Sequence, residues 1–266
     1  MSAPLLSWTV DDAAPPLSRR RIAAEVAIVL GLSFGASAIY SLVAIVNRLT
    51  RDVALSQQTA TLNSSLSDRE VFDLIYQLLA VFFDLVPVAL VCYLLWRTAR
   101  PHLGRLGLGF DRPVRDIGLG LGLALAVGIP GLAFYFFGRA IGISVSVVPT
   151  ALDAYWWTIP VLLLSAARAA ITEEVIAIGY LYARLAEAGW RRWTIIVGSA
   201  LLRGSYHLYQ GFGAFIANAV MGVAFGWLYT RYGRLLPLVV THFALDAAVF
   251  VGYPWAAATF PALFGL

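Results

Sequence analysis

The chain has 266 residues, of which 60% are hydrophobic and 13% charged, and it carries a formal net charge of +4. This composition excludes an ordinary soluble globular domain, in which about half of the residues are apolar and about a quarter charged. In a chain this apolar the basic excess is topology information and not a nucleic-acid signal, and no nucleic acid is expected as a partner. All 19 basic residues are Arg, and the lone Cys92 lies in an apolar run, so no disulfide framework or thiolate cluster forms within the chain.

Residues 1–18 are polar and loop-like, with Asp11, Asp12, Pro15 and Pro16, and the triplet Arg19, Arg20 and Arg21 precedes the first apolar run. No small-residue cleavage site follows that run, so it reads as a span and not as a cleaved signal. A spanning helix needs about 20 mainly apolar residues to cross ~30 Å of hydrocarbon at ~1.5 Å per residue. Runs of this kind lie at 22–47, 73–96, 116–138, 155–183, 194–210, 213–230 and 235–253. They lack the alternation of barrel strands, and backbone groups in lipid must be satisfied internally. The expected fold is therefore all-α, a polytopic transmembrane bundle of about seven helices. Its segments are an N-terminal tail 1–21, N-terminal membrane helices 22–150, a helical core 151–253 and a C-terminal tail 254–266.

Arginine counts orient the bundle. With the N-terminus inside, the inner segments hold 13 Arg, Arg97, Arg100 and Arg105 among them, and the outer segments hold four: Arg48, Arg51, Arg69 and Arg139. This asymmetry predicts a cytoplasmic N-terminus and an outer C-terminus, in what reads as a bacterial plasma membrane. The least secure joint is the very short turn around Gly211 to Gly213. Gly118, Gly120 and Gly122, like the pair Gly222 and Gly226, fit close helix packing. Pro130 and Pro237 kink or start helices. Trp156, Trp157, Trp190, Trp193 and Trp255 fall near span ends, as interfacial belts do. The sequon at Asn63 is one tripeptide and carries no weight.

Ionisable residues fall inside the spans, among them Asp84, Arg168, Glu173, Glu174, Arg203, His207, His242 and Asp246. A charge at the bilayer centre costs roughly 2.5–3.5 kcal/mol on insertion scales, so such residues face the protein interior and mark chemistry or transport, unless they form a salt-bridge network that only fixes packing. Helical rise puts Glu173, His207, His242 and Asp246 at depths of roughly 10–20 Å, in one slab. His242 and Asp246 are spaced i, i+4 on one face, as are Arg203 and His207, and a carboxylate one turn from an imidazole can fix its tautomer. Glu173 and Glu174 point about 100° apart, so only one aims squarely at a shared centre. Tyr206 and Tyr209 flank His207, where packing against the wall is the simpler role, and Asp84 is a candidate partner for Arg168.

The Glu-Glu pair, a His on the next helix and a His-x-x-x-Asp on a later one resemble the CPBP intramembrane proteases, which include the CAAX prenyl endopeptidases and the Abi proteins. The similarity runs from about Thr172 to Phe250: Glu173 and Glu174 correspond to the first motif, His207 to the second, and His242 with Asp246 to the third. It departs from the family where Ile178 replaces an Arg, Arg203 a Phe and Asp246 an Asn, and Arg203 on the neighbouring helix is expected to supply the missing guanidinium to Glu173 or Glu174. The resemblance makes 151–253 a CPBP-like catalytic core and implies an intramembrane endopeptidase, a CAAX-type metalloprotease in common description. Glu173 would activate a water with help from His207, and His242 and Asp246 would orient substrate or stabilise the oxyanion. Glu173, His207 and His242 could ligate Zn²⁺, although a metal-free glutamate–histidine site fits the same residues. The implied partners are membrane lipid and a membrane-bound or lipidated peptide. The alternatives are an inactive scaffold or immunity protein of the same fold, and a proton-coupled transporter with these residues as a relay.

Overall fold

The computed structural model describes residues 17–95 and 106–259. The Arg97, Arg100 and Arg105 cluster used for orientation and most of both tails lie outside the described residues. Helices dominate. The first two, α1 (Arg19–Gly31) and α2 (Phe34–Leu49), are bent by 58° at Leu32 and Ser33, where a single straight span was expected. The Ser33 hydroxyl caps the end of α1 by donating to Val29 O at 2.7 Å. Then come α3 (Glu70–Asp84), α4 (Val86–Leu95) and the 28-residue α5 (Pro113–Ala140), which carries Pro130 within it. The remaining helices are α6 (Thr158–Glu173), α7 (Leu181–Glu187), α8 (Arg192–Tyr206), α9 (Phe212–Tyr232), α10 (Leu236–Ala247) and α11 (Tyr253–Thr259), with Pro237 in the first turn of α10.

Among the described residues four helical stretches are long and apolar enough to cross a membrane, Glu70–Leu95, Pro113–Ala140, Phe212–Tyr232 and Leu236–Ala256, and the bent α1–α2 pair makes a fifth if it counts as one span. Two of the seven expected spans fall short for different reasons. The stretch from α6 to α7 carries Arg168, Glu173, Glu174 and Arg184, and α8 has only 15 residues, roughly 22 Å by helical rise. These segments hold Arg168, Glu173, Glu174, Arg184 and Arg203, so the membrane signal is lost to charge in one and to length in the other.

The fold is also not purely helical. Strands β1 (Thr59–Ser64) and β2 (Ser146–Ala151) form a two-stranded parallel sheet, with Thr59 opposite Ser146. Each strand has six residues; β1 alternates polar and apolar from Thr59 to Asn63, whereas β2 carries Pro149 and does not alternate. The sheet braces the connection between α8 and α9: Val145 N donates to Gln210 O at 3.1 Å, and Val145 packs with Ile45, Leu55 and Leu208. Gly211 takes φ +103° there, and a Cβ on it would meet Ile143 O at 2.6 Å, so the short turn requires glycine for both conformation and space.

The main core is built around the residues that follow Glu174, with Val175, Ile176, Ala177, Ile178 and Tyr180 all buried against α4, α8, α9 and α10. A second interior ion cluster ties α7 to α1. Arg184, 4% exposed, bonds Glu25 at 2.6 Å and Glu187 at 2.9 Å, and Tyr180 donates to Glu25 at 3.0 Å. At the opposite edge Arg234, between α9 and α10, clamps Asp111, Gly109 O and Asp116. The Arg234 guanidinium holds the Asp111 carboxyl below its usual range. Of the five interfacial Trp, only Trp157 is buried, at 2% exposure.

Glycine packing is more selective than the spacing implies. A Cβ on Gly120 would meet Val240 at 2.6 Å and Pro237 O at 2.8 Å, whereas Gly118 and Gly122 have nothing within 4 Å. Gly222 lies against Ala200, with 2.9 Å from an added Cβ to its Cα, at the α8–α9 crossing. Gly120→Ala should therefore cost about 1–3 kcal/mol through overpacking against α10. Gly118→Ala and Gly122→Ala should be neutral or stabilise by about 0.5–1 kcal/mol through helix propensity. Thermal denaturation of the three variants in detergent checks this, and equal effects at all three positions would contradict it.

Candidate active site

Two helices carry the acidic residues, and each changes winding immediately after them. Residues Glu174–Tyr180 form a π-helical turn directly after Glu173, and Ala248–Gly252 form another just beyond Asp246. Wider turns of this kind recur at functional sites because they re-aim side chains within a continuous helix. Glu173 and Glu174 accordingly face different partners. Glu173 Oε2 accepts from Tyr206 OH at 2.7 Å and lies 3.4 Å from Arg203 Nη2 and 3.9 Å from His207 Nε2. Glu174 Oε1 accepts from Arg203 Nη2 at 2.6 Å and is 2.8 Å from His242 Nδ1. The proton on Nδ1 is assigned from that contact, since two acceptors would not approach so closely. The other imidazole nitrogen, His242 Nε2, is 3.5 Å from Asp246 Oδ2.

Arg203 is the hub. It is 1% exposed, packs over the Phe225 ring at 5.2 Å, and its Nη2 lies within 3.4 Å of Glu173, Glu174 and His242 Nδ1. The expectation that it pairs with the Glu-Glu motif from the next helix matches this geometry, and Ile178, where the family has Arg, is buried apolar core. His207 sits just past the end of α8 and starts the short helical turn Leu208–Gln210. Its ring contacts that of Tyr206 at 4.8 Å, Tyr206 stacks on Phe34 at 4.8 Å, and Ser41 donates to Tyr206 O at 2.9 Å. Thus α2 fixes the Tyr206–His207 corner from outside the motif helices.

The two halves of this cluster differ in access. A cleft of about 580 Å³ is lined by Glu173, Tyr206 and His207, together with Phe34 and Tyr40 of α2, Asp84 of α3 and Arg168 of α6. Glu174, Arg203, His242 and Asp246 do not line it. Glu174 is fully buried and His242 is 4% exposed. One carboxylate–imidazole pair, Glu173 and His207, therefore meets the cleft, and a second such pair, Glu174 and His242, stands behind it beside Arg203. Asp84 and Arg168 do pair, at the cleft wall. Tyr206 is the residue whose role the sequence understated, because a Tyr beside a His gives no spacing signal that distinguishes wall packing from a hydrogen bond to a distant Glu.

Glu173, His207 and His242, the implied ligand set, do not present a metal geometry. Among the described residues no three His, Cys, Asp or Glu side chains are grouped to hold an ion. A guanidinium stands within hydrogen-bonding distance of the donors a cation would need, and His242 Nδ1 is committed to Glu174. Arg203 thus provides the positive charge at the place where a divalent ion would be bound, and the donor set does not fit one. Several enclosed polar atoms, Glu174 Oε2, Arg203 Nε and Nη1 and His207 Nε2, have no hydrogen-bond partner among the described residues. A network that only holds helices together would satisfy such groups, and their excess is characteristic of functional sites.

Residues 155–248 match the family model described as Rce1-like, type II CAAX prenyl endopeptidase Rce1-like. The matched stretch contains every motif residue of the resemblance, from Glu173 to Asp246. No curated protein and no solved structure matches the chain.

Arg203→Leu leaves Glu174 buried without its cationic partner and should destabilise the protein by about 3–5 kcal/mol. The double change Arg203→Leu, Glu174→Leu removes both charges and should recover much of that loss, since residues in one buried network are not additive. Denaturation midpoints in detergent report both, and additive losses would contradict the pairing.

Proposed function

With a type II CAAX prenyl endopeptidase signature spanning residues 155–248 as the premise, we propose that the chain is an intramembrane endopeptidase that hydrolyses a lipidated, CAAX-type peptide with Glu173 as general base. The observation that carries the reading is the cleft itself: Glu173 and His207 meet in its wall, among aromatic and aliphatic side chains, the hydroxyls of Ser33, Ser37, Ser41 and Thr172, and one ion pair. A water between the Glu173 carboxylate and the His207 imidazole gives up a proton to Glu173 as its oxygen attacks the scissile carbonyl. The C–N bond then breaks, the proton passes to the departing amine, and the products are a carboxylic acid and an amine. Tyr206 and Arg203 hold Glu173 in place, so that the base is oriented before substrate arrives. His242 and Asp246 act through Arg203 and Glu174 as positioning residues. No step requires a metal, because Arg203 supplies the local positive charge.

The inactive-scaffold reading is disfavoured by the cleft, which opens onto Glu173 and His207 together. The transporter reading is disfavoured by the family match.

Glu173→Gln keeps shape and the Tyr206 contact but cannot take a proton, and should lower the hydrolysis rate by roughly 10²- to 10⁴-fold in folded protein. His207→Ala should cost a similar factor, and the double variant little more than either. Glu174→Gln, away from the cleft, should act mainly on stability. Assay with a farnesylated peptide in detergent checks this, and full proteolysis by folded Glu173→Gln protein would remove the mechanism.

A further inference from the structure

Of the charged side chains that line the cleft, Asp84 and Arg168 have no part in the proposed chemistry. Arg168 stands on α6 five residues before Glu173, about 7.5 Å away along the helix axis. Its Nη1 is bound to Asp84 Oδ2, and its Nε is enclosed with no hydrogen-bond partner among the described residues. A guanidinium offers five donors in a planar fork that matches the two oxygens of a carboxylate, so one monodentate ion pair leaves it under-used.

The pair is built asymmetrically. Asp84 is 51% exposed and Arg168 is 29% exposed, so the carboxylate is the partner with room to swing away. Its backbone is tethered, because Asp84 O accepts from Thr172 Oγ1 at 3.4 Å, and displacement of the side chain need not move α3. Exposed ion pairs are worth only about 0–1 kcal/mol, and a better-placed anion can outcompete one.

A cation at a fixed distance from a general base, and the one guanidinium in the cleft lining, selects an anion at a fixed distance from the scissile bond. In a CAAX-type chain three residues separate the lipidated Cys from the free α-carboxylate, a reach of at most about 10 Å. That length brings the carboxylate to Arg168 when the bond beside the Cys lies at Glu173. We infer that Arg168 is the anchor for the C-terminal carboxylate of the substrate, and that Asp84 holds the guanidinium until that carboxylate displaces it. The inference rests on the endopeptidase reading. It makes Arg168 a specificity residue, which measures the distance from the chain end to the cleavage point.

Binding to Glu173→Gln protein, which is not required to turn over, tests the anchor apart from the chemistry. A fluorescent farnesylated tetrapeptide is titrated in detergent as the free acid and as the C-terminal carboxamide. The acid should bind about 10- to 100-fold more tightly, the range of a charge-assisted hydrogen bond. Adding Arg168→Gln should bring the acid-to-amide ratio to about one. Adding Asp84→Asn removes the internal competitor and should tighten acid binding by about twofold to fivefold, the size of an exposed ion pair. A purely structural pair would respond to both changes with loss, so weaker acid binding in the Asp84→Asn protein overturns the inference even if Arg168→Gln fails to fold. Equal binding of acid and amide overturns it too. Arg168-dependent binding of phosphatidylglycerol micelles without any acid preference would assign the guanidinium to a lipid headgroup instead. If wild-type protein cleaves the carboxamide without preferring the acid, the anchor falls and the endopeptidase reading stands. If the acid binds as described and nothing is cleaved, the anchor stands and that reading falls.

Discussion

A guanidinium buried to 1% exposure among apolar side chains is tolerable only where carboxylates meet it, and the rest of the site depends on that constraint. Arg203 on α8 must find Glu173 and Glu174 at the end of α6, and Glu174, which accepts from His242 Nδ1 as well, brings α10 to the same point. Three helices are thereby fixed in depth and rotation around one side chain. Formally the guanidinium matches one of the two carboxylates, and Glu174, at 2.6 Å, is the closer. The other carboxylate, Glu173, is the one turned to the cleft. One arginine thus holds the helices together and leaves a carboxylate available for chemistry.

The cleft side of the site is fixed by elements outside the motif helices. The 58° bend between α1 and α2 brings Phe34 onto the Tyr206 ring, and Ser41 bonds Tyr206 O. The β1–β2 pair and Gly211 brace the turn that begins at His207. An imidazole at the end of a 15-residue helix would otherwise sit on a fraying terminus, where geometry to within a fraction of an ångström is hard to keep. The family match covers 155–248, yet α2 with Phe83, Asp84 and Pro87, all outside it, completes the cleft, and the sheet segment, also outside it, braces the turn after His207.

The helical character, the site slab and the Arg203–Glu174 contact were legible in the sequence because each follows from a simple cost. Apolar runs must be helical in lipid, and interior charges must be paired. The α1–α2 bend was missed because Gly31, Ser33 and Gly35 lie within a run long enough to span, and the sheet was hidden because its strands are short and distant in sequence. The π turns after Glu173 and Asp246 carry no residue signature, since Val175 to Ile178 suit any buried helix. Three glycines at alternate positions read alike, but only Gly120 meets a neighbour, because a helix turns the other two away from α10. Tyr206 was readable only as an aromatic next to His207; its bond to Glu173, 33 residues earlier, belongs to the tertiary fold.

The family resemblance points to metalloprotease chemistry, whereas the cation held by Glu174, and near Glu173 and His242, is Arg203. Arg203 in the place of a divalent ion is tested most directly by the proteolytic activity of purified protein beside its metal content, before and after exhaustive chelation. A Glu173 base oriented by Tyr206 and Arg203 predicts an unchanged rate in protein that retains far less than one equivalent of any divalent metal. A rate that falls with chelation and returns in proportion to added Zn²⁺ would contradict it.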